Sequence, residues 1–364
     1  MSRCREITER YGAMEFDANI VRCGVPLVPQ DGNPDESEGI LNPACARDRE
    51  GRLLIYPRCV AAGNISRIGL VRAEHGTYER LGYALEPEAP YEVRSNPGYG
   101  CEDPRVTFVQ AIDRYVMAYT AFGPAGPRIA IALSNDAYRW ERLGLVDFSA
   151  CKARNGDDKD AAFFPEPVLS PSGVLSLAMY HRPMLHLSVL DGRDAIPILL
   201  AMDPAQREAI SIAYVPLNEV LADRANLLLM SESVKVATPD QTWGRVKLGA
   251  GTPPVRVAEG WLSLYHGVDA TLGDGGFELR YAAGVIIHDA ERPDHVLYRS
   301  PEPVLTPETP LECSGIVANV VFPTALDMRT DLGGRVFDIY YGMADSRIGH
   351  ARLTLGEEAA ASAA

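Results

Sequence analysis

The stretch Gly98–Phe108, GYGCEDPRVTF, places two adjacent carboxylates, Glu102 and Asp103, between a Gly/Cys turn and a proline, directly before a run typical of a β-strand. Because Pro104 disfavours a helical backbone at the residue before it, Asp103 is expected to be extended at a strand entrance, with its side chain held in place. Such a position suits a catalytic acid. It equally suits a turn aspartate that bonds to its own backbone, so this stretch alone leaves both interpretations open.

Five pairs of β-branched and aromatic runs recur along the chain, each joined by a turn that contains Gly, Pro, Asp or Arg. The pairs are LLIYPRC with RIGLVRA, YVMAYTAFG with RIAIALSND, GVLSLAMYHRP with LHLSVLDG, GWLSLYHGV with YAAGVIIHD, and VFDIYYGMAD with RIGHARLTL. A unit of this kind cannot bury both of its faces alone. The repeats therefore predict an all-β protein, a single five-bladed β-propeller over residues 1–355. A β-sandwich with coincidental alternation is the alternative.

Two segments depart from the repeat. Residues 203–235, between the third and fourth units, have a partly helical spacing of Ala, Ile and Leu, which predicts an insertion on the rim. Residues 356–364 are small and polar, and we expect them to form a flexible tail.

The loops that enter the innermost strands of a propeller converge on one mouth, and every unit contributes polar residues there. These residues are Asn42, Asp103, Arg105, Lys159, Asp160, Arg182, Lys247, His266, Tyr281 and Asp345. Acids beside several cations and a tyrosine predict a site for a polyol together with an anion. Each residue also has an ordinary structural explanation, such as a surface charge, a core histidine or a packed aromatic ring.

Composition excludes several classes of protein. The chain has 364 residues, of which 46% are hydrophobic and 23% charged, as in an ordinary globular protein. The net charge of −14 argues against a nucleic-acid partner. No apolar run is long enough for a membrane span and the start does not resemble a signal peptide, so we expect a cytoplasmic location. Seven scattered cysteines without zinc-site spacing predict reduced thiols and no metal.

Six ordered motifs resemble glycoside hydrolase family 130, the β-mannoside phosphorylases and related β-mannosidases: GYGCEDPRVTF, KDAAFFPE, MYHRP, KLGAGTPPV, LYHGV and YYGMAD. The resemblance runs from about Asn42 to Asp345 and implies a five-bladed β-propeller, in agreement with the repeats. It also implies that Asp103 is the proton donor, whereas Glu102 orients this acid or contacts substrate.

The resemblance implies roles for the other residues. The phosphate-binding residues would be Arg182, Lys247, His266 and Tyr281. Contacts to mannose hydroxyls would come from Asn42, Arg58, Asp160 and Asp345, and we expect further substrate contacts from Glu102, Arg105 and Lys159. Tyr99 and Trp243 either stack on the acceptor sugar or pack in the core.

One departure from the family pattern concerns the phosphate site. Related phosphorylases often carry Arg-Asn just ahead of the KDA motif, where this chain has Asp157 and Asp158. Arg154 and Asn155 lie three residues upstream. Either a local insertion has shifted the loop, or this phosphate contact is missing.

A single acid is enough for a phosphorylase, because phosphate arrives as an anionic nucleophile, whereas an inverting hydrolase needs a second carboxylate to activate water. The expected function is that of an inverting β-mannoside phosphorylase without a metal or cofactor. It would convert a short β-mannoside and phosphate, its co-substrate, into α-mannose 1-phosphate and a shortened acceptor. A β-mannosidase that uses water and a non-catalytic sugar-binding propeller are the alternatives. A homo-oligomer stays open.

Overall fold

The structure, a computed structural model, describes residues 16–151, 156–185, 195–273 and 275–356. Within these ranges the chain forms 22 β-strands and three short α-helices, α1 (Ile196–Ala201), α2 (Leu217–Ala222) and α3 (Pro310–Cys313). None of these helices has the length and apolar character that crossing a bilayer requires. The protein is therefore all-β, as predicted.

The first two antiparallel units follow β1 (Ala18–Leu27). The first unit has the strands β2 (Gly39–Arg47), β3 (Leu53–Ala61), β4 (Ile65–Glu74) and β5 (Thr77–Leu85). The second has β6 (Tyr99–Val109), β7 (Arg114–Gly123), β8 (Gly126–Ser134) and β9 (Glu141–Leu145). A short parallel contact, Ile65 with Tyr99 and Ser66 with Gly100, joins them into one eight-stranded sheet.

The third and fourth units are separate sheets. The third has β10 (Asp158–Phe163), β11 (Val168–Leu169), β12 (Leu175–Pro183), β13 (Ile210–Pro216) and β14 (Glu232–Ala237). The fourth has β15 (Lys247–Ala250), β16 (Val255–Val257), β17 (Gly260–Gly273), β18 (Gly276–His288) and β19 (Val296–Arg299). In each sheet the short second strand pairs only with the strand that follows it.

The interpretation of residues 203–235 as a partly helical insertion needs correction. The segment contains α2, but it also contains β13 and the start of β14, which form the outer half of the third sheet. Every residue of β13 except the last is buried, and a short, wholly buried apolar run has no periodicity that separates strand from helix. The predicted hairpin partner of β12, LHLSVLDG, lies almost entirely outside the described residues.

The fifth unit closes on the first strand of the described chain. It has β20 (Val321–Met328), β21 (Val336–Met343) and β22 (Arg347–Leu355), and β1 pairs antiparallel with β22 as its fourth strand. The register runs from Ala18 opposite Leu355 to Leu27 opposite Ile348. Of the predicted tail only Gly356 is described, and its amide donates to the carbonyl of Asp17.

The core is divided among the seams between successive units. Val116 of the second unit and Met179 of the third belong to one buried cluster, and Tyr180 of the third and Tyr265 of the fourth belong to another. Other clusters join the fourth unit to the fifth and the first to the second. The cluster around Ile55 and Tyr340 joins the fifth unit to the first. Apolar burial therefore links the five units in a cycle.

Candidate active site

β-Bulges interrupt the first strands of the units where the predicted site residues lie. The pairing of three such strands shifts at the bulges that contain Asn42, Asp103 and Asp160, whose φ angles are 42°, 45° and 60°. This left-handed backbone is uncommon outside glycine, and Asn and Asp adopt it most readily. A bulge changes the direction of a side chain relative to the strand. Local backbone geometry therefore sets the direction of these three polar groups.

Asp103 lies at the centre of a buried group of hydrogen bonds. Asn42 Nδ2 donates to Asp103 Oδ1 over 3.0 Å, and an Arg58 nitrogen donates to the same oxygen over 3.2 Å. Arg58 also donates to Glu102 over 2.9 Å, and the Lys159 ammonium donates to the other oxygen of Glu102 over 3.1 Å. We call these residues, with Asp345, the Asp103 cluster.

Two carboxyl groups of the Asp103 cluster have opposite pKa shifts. Burial raises the pKa of Asp103, but the charges of Arg58, Lys159 and Arg105 outweigh it, and the pKa lies below its usual value. Burial raises the pKa of Asp345 to about 6, and the negative charge of Asp103 adds to this effect. Asp345 lies in the turn between β21 and β22 with a φ of 49°.

A second group of charges surrounds Asp160. Arg182 Nε donates to Asp160 Oδ2 over 2.6 Å, His266 Nε2 lies 3.6 Å from that oxygen, and Arg105 lies 3.6 Å from Oδ1. Arg105 is almost fully buried and also donates to the backbone carbonyls of Asp103, Ala250 and Gly251. Arg105 therefore connects the two clusters. We call Arg105, Asp160, Arg182, Lys247, His266 and Tyr281 the Arg182 cluster.

His266 is a neutral group in the Arg182 cluster. Burial, together with the charges of the surrounding cations, lowers its pKa to about 3, against the opposing effect of Asp160. Its Nδ1 atom is buried and has no hydrogen-bond partner among the described residues. The ring lies 4.4 Å from that of Phe322 and 6.2 Å from that of Tyr281, measured between centroids.

Lys247 supplies a cation that is not neutralised. Its ammonium lies 5.7 Å from the centroid of the Tyr281 ring, and it forms no ion pair with the described residues. Arg182, in contrast, is paired with Asp160 and with Glu208. An anion that enters this cluster would find an available ammonium at Lys247.

The twelve residues predicted for catalysis, phosphate binding and mannose binding lie in these two clusters. The sequence did not indicate Glu208, which bonds to Arg182, or Phe322, which packs on His266. Phe322 lies directly before Pro323 in the FPTA run, where the pairing of β20 shifts between Pro323 and Ala325. In the LNP and EDP runs a site residue also directly precedes a proline at a bulge, so comparison of the three runs could have found Phe322. For Glu208 we see no such signal.

Trp243 packs in the core. It is 9% exposed, its indole nitrogen donates to the carbonyl of Pro301, and its ring packs against Tyr265. Of the two interpretations given for it, the structure supports packing. Tyr99 is half-buried at the start of β6, where its backbone pairs with Ile65.

Asp158 has a structural role in place of the phosphate contact expected from related phosphorylases. Its carboxylate accepts hydrogen bonds from the backbone amide of Arg182 over 3.0 Å and from His181 Nδ1 over 2.8 Å. His181 Nε2 lies 2.8 Å from Ser233 Oγ. Asp157 lies 3.5 Å from Arg128. Arg154 and Asn155 are outside the described residues.

Comparisons with known proteins identify the family of the chain. A family model described as beta-1,4-mannooligosaccharide phosphorylase matches residues 21–358. The 1,2-beta-oligomannan phosphorylase of Thermoanaerobacter sp. (strain X514) is 28% identical over 340 residues, which cover 90% of this chain and 94% of the relative. The beta-1,4-mannooligosaccharide phosphorylase of Ruminococcus albus is 38% identical over 122 residues, 34% of this chain and 35% of the relative.

A solved structure supports the fold. The beta-1,2-mannobiose phosphorylase from Listeria innocua, in complex with beta-1,2-mannobiose, superposes with a TM-score of 0.69 at 21% identity. The match covers 92% of this chain and 97% of that one. The resemblance stated from the six motifs is thereby confirmed. The chain belongs to glycoside hydrolase family 130, as a member of the glycoside phosphorylase type that the family model describes.

Proposed function

We propose that the protein is an inverting β-mannoside phosphorylase that releases α-D-mannose 1-phosphate and a shortened acceptor sugar. The observation that carries this proposal is the division of the site into two clusters. A buried carboxyl group, Asp103, lies beside a set of hydroxyl-binding groups. Next to it lies a cationic cluster in which Lys247 forms no ion pair with any described residue. Such a site suits a neutral polyol on one side and an anion on the other.

We also infer that the five antiparallel units are the blades of a five-bladed propeller. The inference is supported by the cyclic arrangement of the apolar clusters and by contacts among first strands: β2 contacts β6 and β20, and β10 contacts β6 and β15. A central position of these strands explains how residues far apart in sequence share one site.

In the proposed reaction, phosphate attacks the anomeric carbon from the side of the Arg182 cluster, while Asp103 provides the proton that the departing acceptor oxygen needs. The carbon–oxygen bond to the acceptor breaks as the bond to phosphate forms, and the configuration inverts. Arg182 and Lys247 hold the phosphate by charge-assisted hydrogen bonds, and His266 and Tyr281 complete its binding site. No second carboxylate has to activate a water molecule.

The mannose residue would bind across the Asp103 cluster. Carboxylates accept hydrogen bonds from vicinal hydroxyls, and Asn and Arg side chains donate to others. We assign this role to Asn42, Arg58, Asp160 and Asp345, with further contacts from Glu102, Arg105 and Lys159. The relatives carry names with both β-1,2 and β-1,4 linkages, so the proposal extends to the β-mannoside class and to no single linkage.

The test is the identity of the product with and without inorganic phosphate. A panel of β-1,2- and β-1,4-mannobioses would be incubated with the full-length protein, and mannose and mannose 1-phosphate separated by ion-exchange chromatography. We expect α-mannose 1-phosphate to dominate and turnover to require phosphate. Release of free mannose at the same rate in both conditions would show a hydrolase, and no cleavage of any mannoside would favour a sugar-binding protein.

Lys247→Ala is the matched variant for this test. Loss of the unpaired ammonium should raise the KM for phosphate about tenfold to a hundredfold, because a charge-assisted hydrogen bond contributes roughly 1.5 to 3 kcal/mol. The KM for the mannoside should change much less. The control is Lys235→Ala, since Lys235 lies on the outer strand β14 and its ammonium donates to the carbonyl of Ala205. Equal changes in both KM values would contradict the assignment of Lys247 to phosphate.

A further inference from the structure

Glu208 contacts two of the strands that carry the proposed phosphate ligands, β12 and β15. One carboxylate oxygen accepts a hydrogen bond from Arg182 Nη1, and the other accepts one from the backbone amide of Leu185 over 3.2 Å. The backbone carbonyl of Glu208 accepts a hydrogen bond from the amide of Leu248 over 3.1 Å. Leu248 is the neighbour of Lys247 on β15. Glu208 is thus fixed to β15 by its backbone and to Arg182 of β12 by its side chain.

Two carboxylates fix the orientation of the Arg182 guanidinium. Asp160 accepts from Nε over 2.6 Å and Glu208 accepts from Nη1, while Nη2 makes no hydrogen bond within the described part of the chain. The side chain of Arg182 is 5% exposed, and that of Glu208 is 12% exposed. One terminal nitrogen therefore remains for a ligand, and its direction is set by the two carboxylates.

Without the second carboxylate, only Asp160 would hold the guanidinium. An arginine side chain has many rotamers, and fixing it at the moment of binding costs free energy that a pre-oriented side chain does not lose. A carboxylate close to an anion site also repels the anion. Glu208 therefore has two opposing effects on phosphate, orientation of Arg182 and repulsion by its charge.

We propose that Glu208 is a positioning residue that orients Arg182 for phosphate, and that orientation outweighs repulsion. The inference rests on the proposed function, because it takes phosphate as the ligand of the Arg182 cluster. It adds a second carboxylate, besides Asp160, to the groups that hold Arg182. It also accounts for a buried acid beside a site for an anion.

Two variants separate the two effects. Glu208→Ala removes both the hydrogen bond and the charge, whereas Glu208→Gln removes the charge and retains an amide oxygen that can accept from Arg182. We expect Glu208→Ala to raise the KM for phosphate at least about tenfold, with the KM for the mannoside within twofold of the wild type. We expect Glu208→Gln to stay within about threefold for phosphate, because its acceptor still orients the guanidinium.

The control is Glu259→Ala. Glu259 also pairs with an arginine, Arg335, over 2.8 Å and is partly buried, but it takes no part in either cluster. This variant should leave both KM values unchanged. A second readout does not depend on turnover: the rise in Tm that inorganic phosphate causes in the full-length protein. Glu208→Ala should reduce this rise, and Glu208→Gln should preserve most of it.

The inference would be overturned by a phosphate KM for Glu208→Ala within twofold of the wild type. It would also be overturned by equal effects of the Ala and Gln variants, which would mean that charge and not orientation is what matters. If the wild type binds phosphate by the Tm readout but releases mannose without it, the proposed function fails, and Glu208 is still judged by the Tm rise. Absence of any Tm rise in the wild type would overturn the inference about Glu208, whereas the proposed function is decided by the product of the reaction.

Discussion

Asp103 is subject to opposing influences at the scale of a single residue. The charges around it keep its pKa below the usual value, so the unliganded protein holds it as a carboxylate, whereas a proton donor must carry a proton when the glycosidic bond breaks. Phosphate bound at the Arg182 cluster would add negative charge nearby and raise this pKa. The acid would then become competent when its co-substrate is present.

The first prediction at this scale is that Asp103→Asn lowers kcat by about 10² to 10⁴ on a natural mannobiose and leaves the fold intact. The loss should be much smaller with an aryl mannoside whose leaving group needs no protonation. Steady-state kinetics on both substrates, with circular dichroism of the variant, would check it. Near wild-type turnover of the disaccharide would exclude Asp103 as the acid.

Asp345 leads to a prediction about pH. Because burial raises its pKa to about 6, Asp345 is neutral below that pH and becomes a carboxylate above it. If the carboxylate accepts hydrogen bonds from mannose hydroxyls, kcat/KM for the mannoside should rise as the pH passes through about 6. Asp345→Asn should raise the KM for the mannoside about tenfold and remove this limb of the profile. If Asp345→Asn still shows the rise in kcat/KM near pH 6, another group is responsible for that rise.

The raised pKa of Asp345 also affects stability, which should fall as the pH rises. A carboxyl whose folded pKa lies above its unfolded value favours the folded state at low pH, and this contribution is lost as the pH rises through about 6. Asp345→Asn should therefore raise Tm at pH 7 and have little effect on Tm below pH 4. Thermal melts at the two pH values provide the comparison, and an equal change at both would show that ionisation of Asp345 is not responsible.

At the scale of the element, strand β15 is shaped by a glycine. A Cβ atom added at Gly249 would lie 2.2 Å from Asp160 Oδ2 and 2.3 Å from a carbon of the His266 ring. Gly249 pairs with His266 across the sheet. The KLGAG motif therefore needs a residue without a side chain at this position to leave room for the ionic contacts of Asp160.

The corresponding prediction is that Gly249→Ala displaces Asp160 and His266. The KM for phosphate should rise at least about tenfold, with a fall in kcat and a modest fall in Tm, because an extra methyl group in a packed site forces its neighbours to shift. Gly275→Ala is the control, because Gly275 lies in the turn just before β18 and a Cβ there has no atom within 4 Å. Wild-type kinetics for Gly249→Ala would show that the site can relax around the methyl group.

The sequence predicted those elements that have a local signal. Prolines follow Asn42 and Asp103, and these prolines mark two of the bulges. Strand β13 was misassigned because its run is buried on both faces, and the core position of Trp243 depends on Gly267 and Gly284, which leave room for its ring from other strands. Glu208 reaches Arg182 from the segment just before β13. Such contacts depend on how the strands pair with one another. The spacing of residues along the chain carries no information about that pairing.

At the scale of the whole molecule, one buried acid anchors the closing strand. Glu312 is fully buried and accepts hydrogen bonds from Arg22 of β1 over 2.9 and 3.1 Å and from Tyr341 of β21 over 2.8 Å. The backbone amides of Glu308 and Thr309 also donate to it. Burial raises the pKa of Glu312, but these donors outweigh it and lower the pKa to about 2.

The resulting prediction concerns stability in acid. A carboxyl with a lowered pKa stabilises the fold above its usual pKa, and the contribution, about 3 kcal/mol by the size of the shift, is lost as the pH falls from about 4.5 to about 2. Glu312→Gln should lower Tm by several degrees at pH 7, and the difference from the wild type should shrink below pH 3. Glu308→Gln is the control, because Glu308 pairs with the same arginine but is 64% exposed. A constant difference at all pH values would contradict the mechanism.

The pairing of β1 with β22 also affects how the protein is made. On the ribosome β1 emerges well before its partner β22, which ends at Leu355. At roughly 5 to 20 residues per second, β1 would wait for tens of seconds with an unpaired edge. Earlier units can fold as they appear, but β1 stays unpaired until β22 has been synthesised. Nascent chains are therefore most vulnerable to aggregation and to chaperone capture at this first strand.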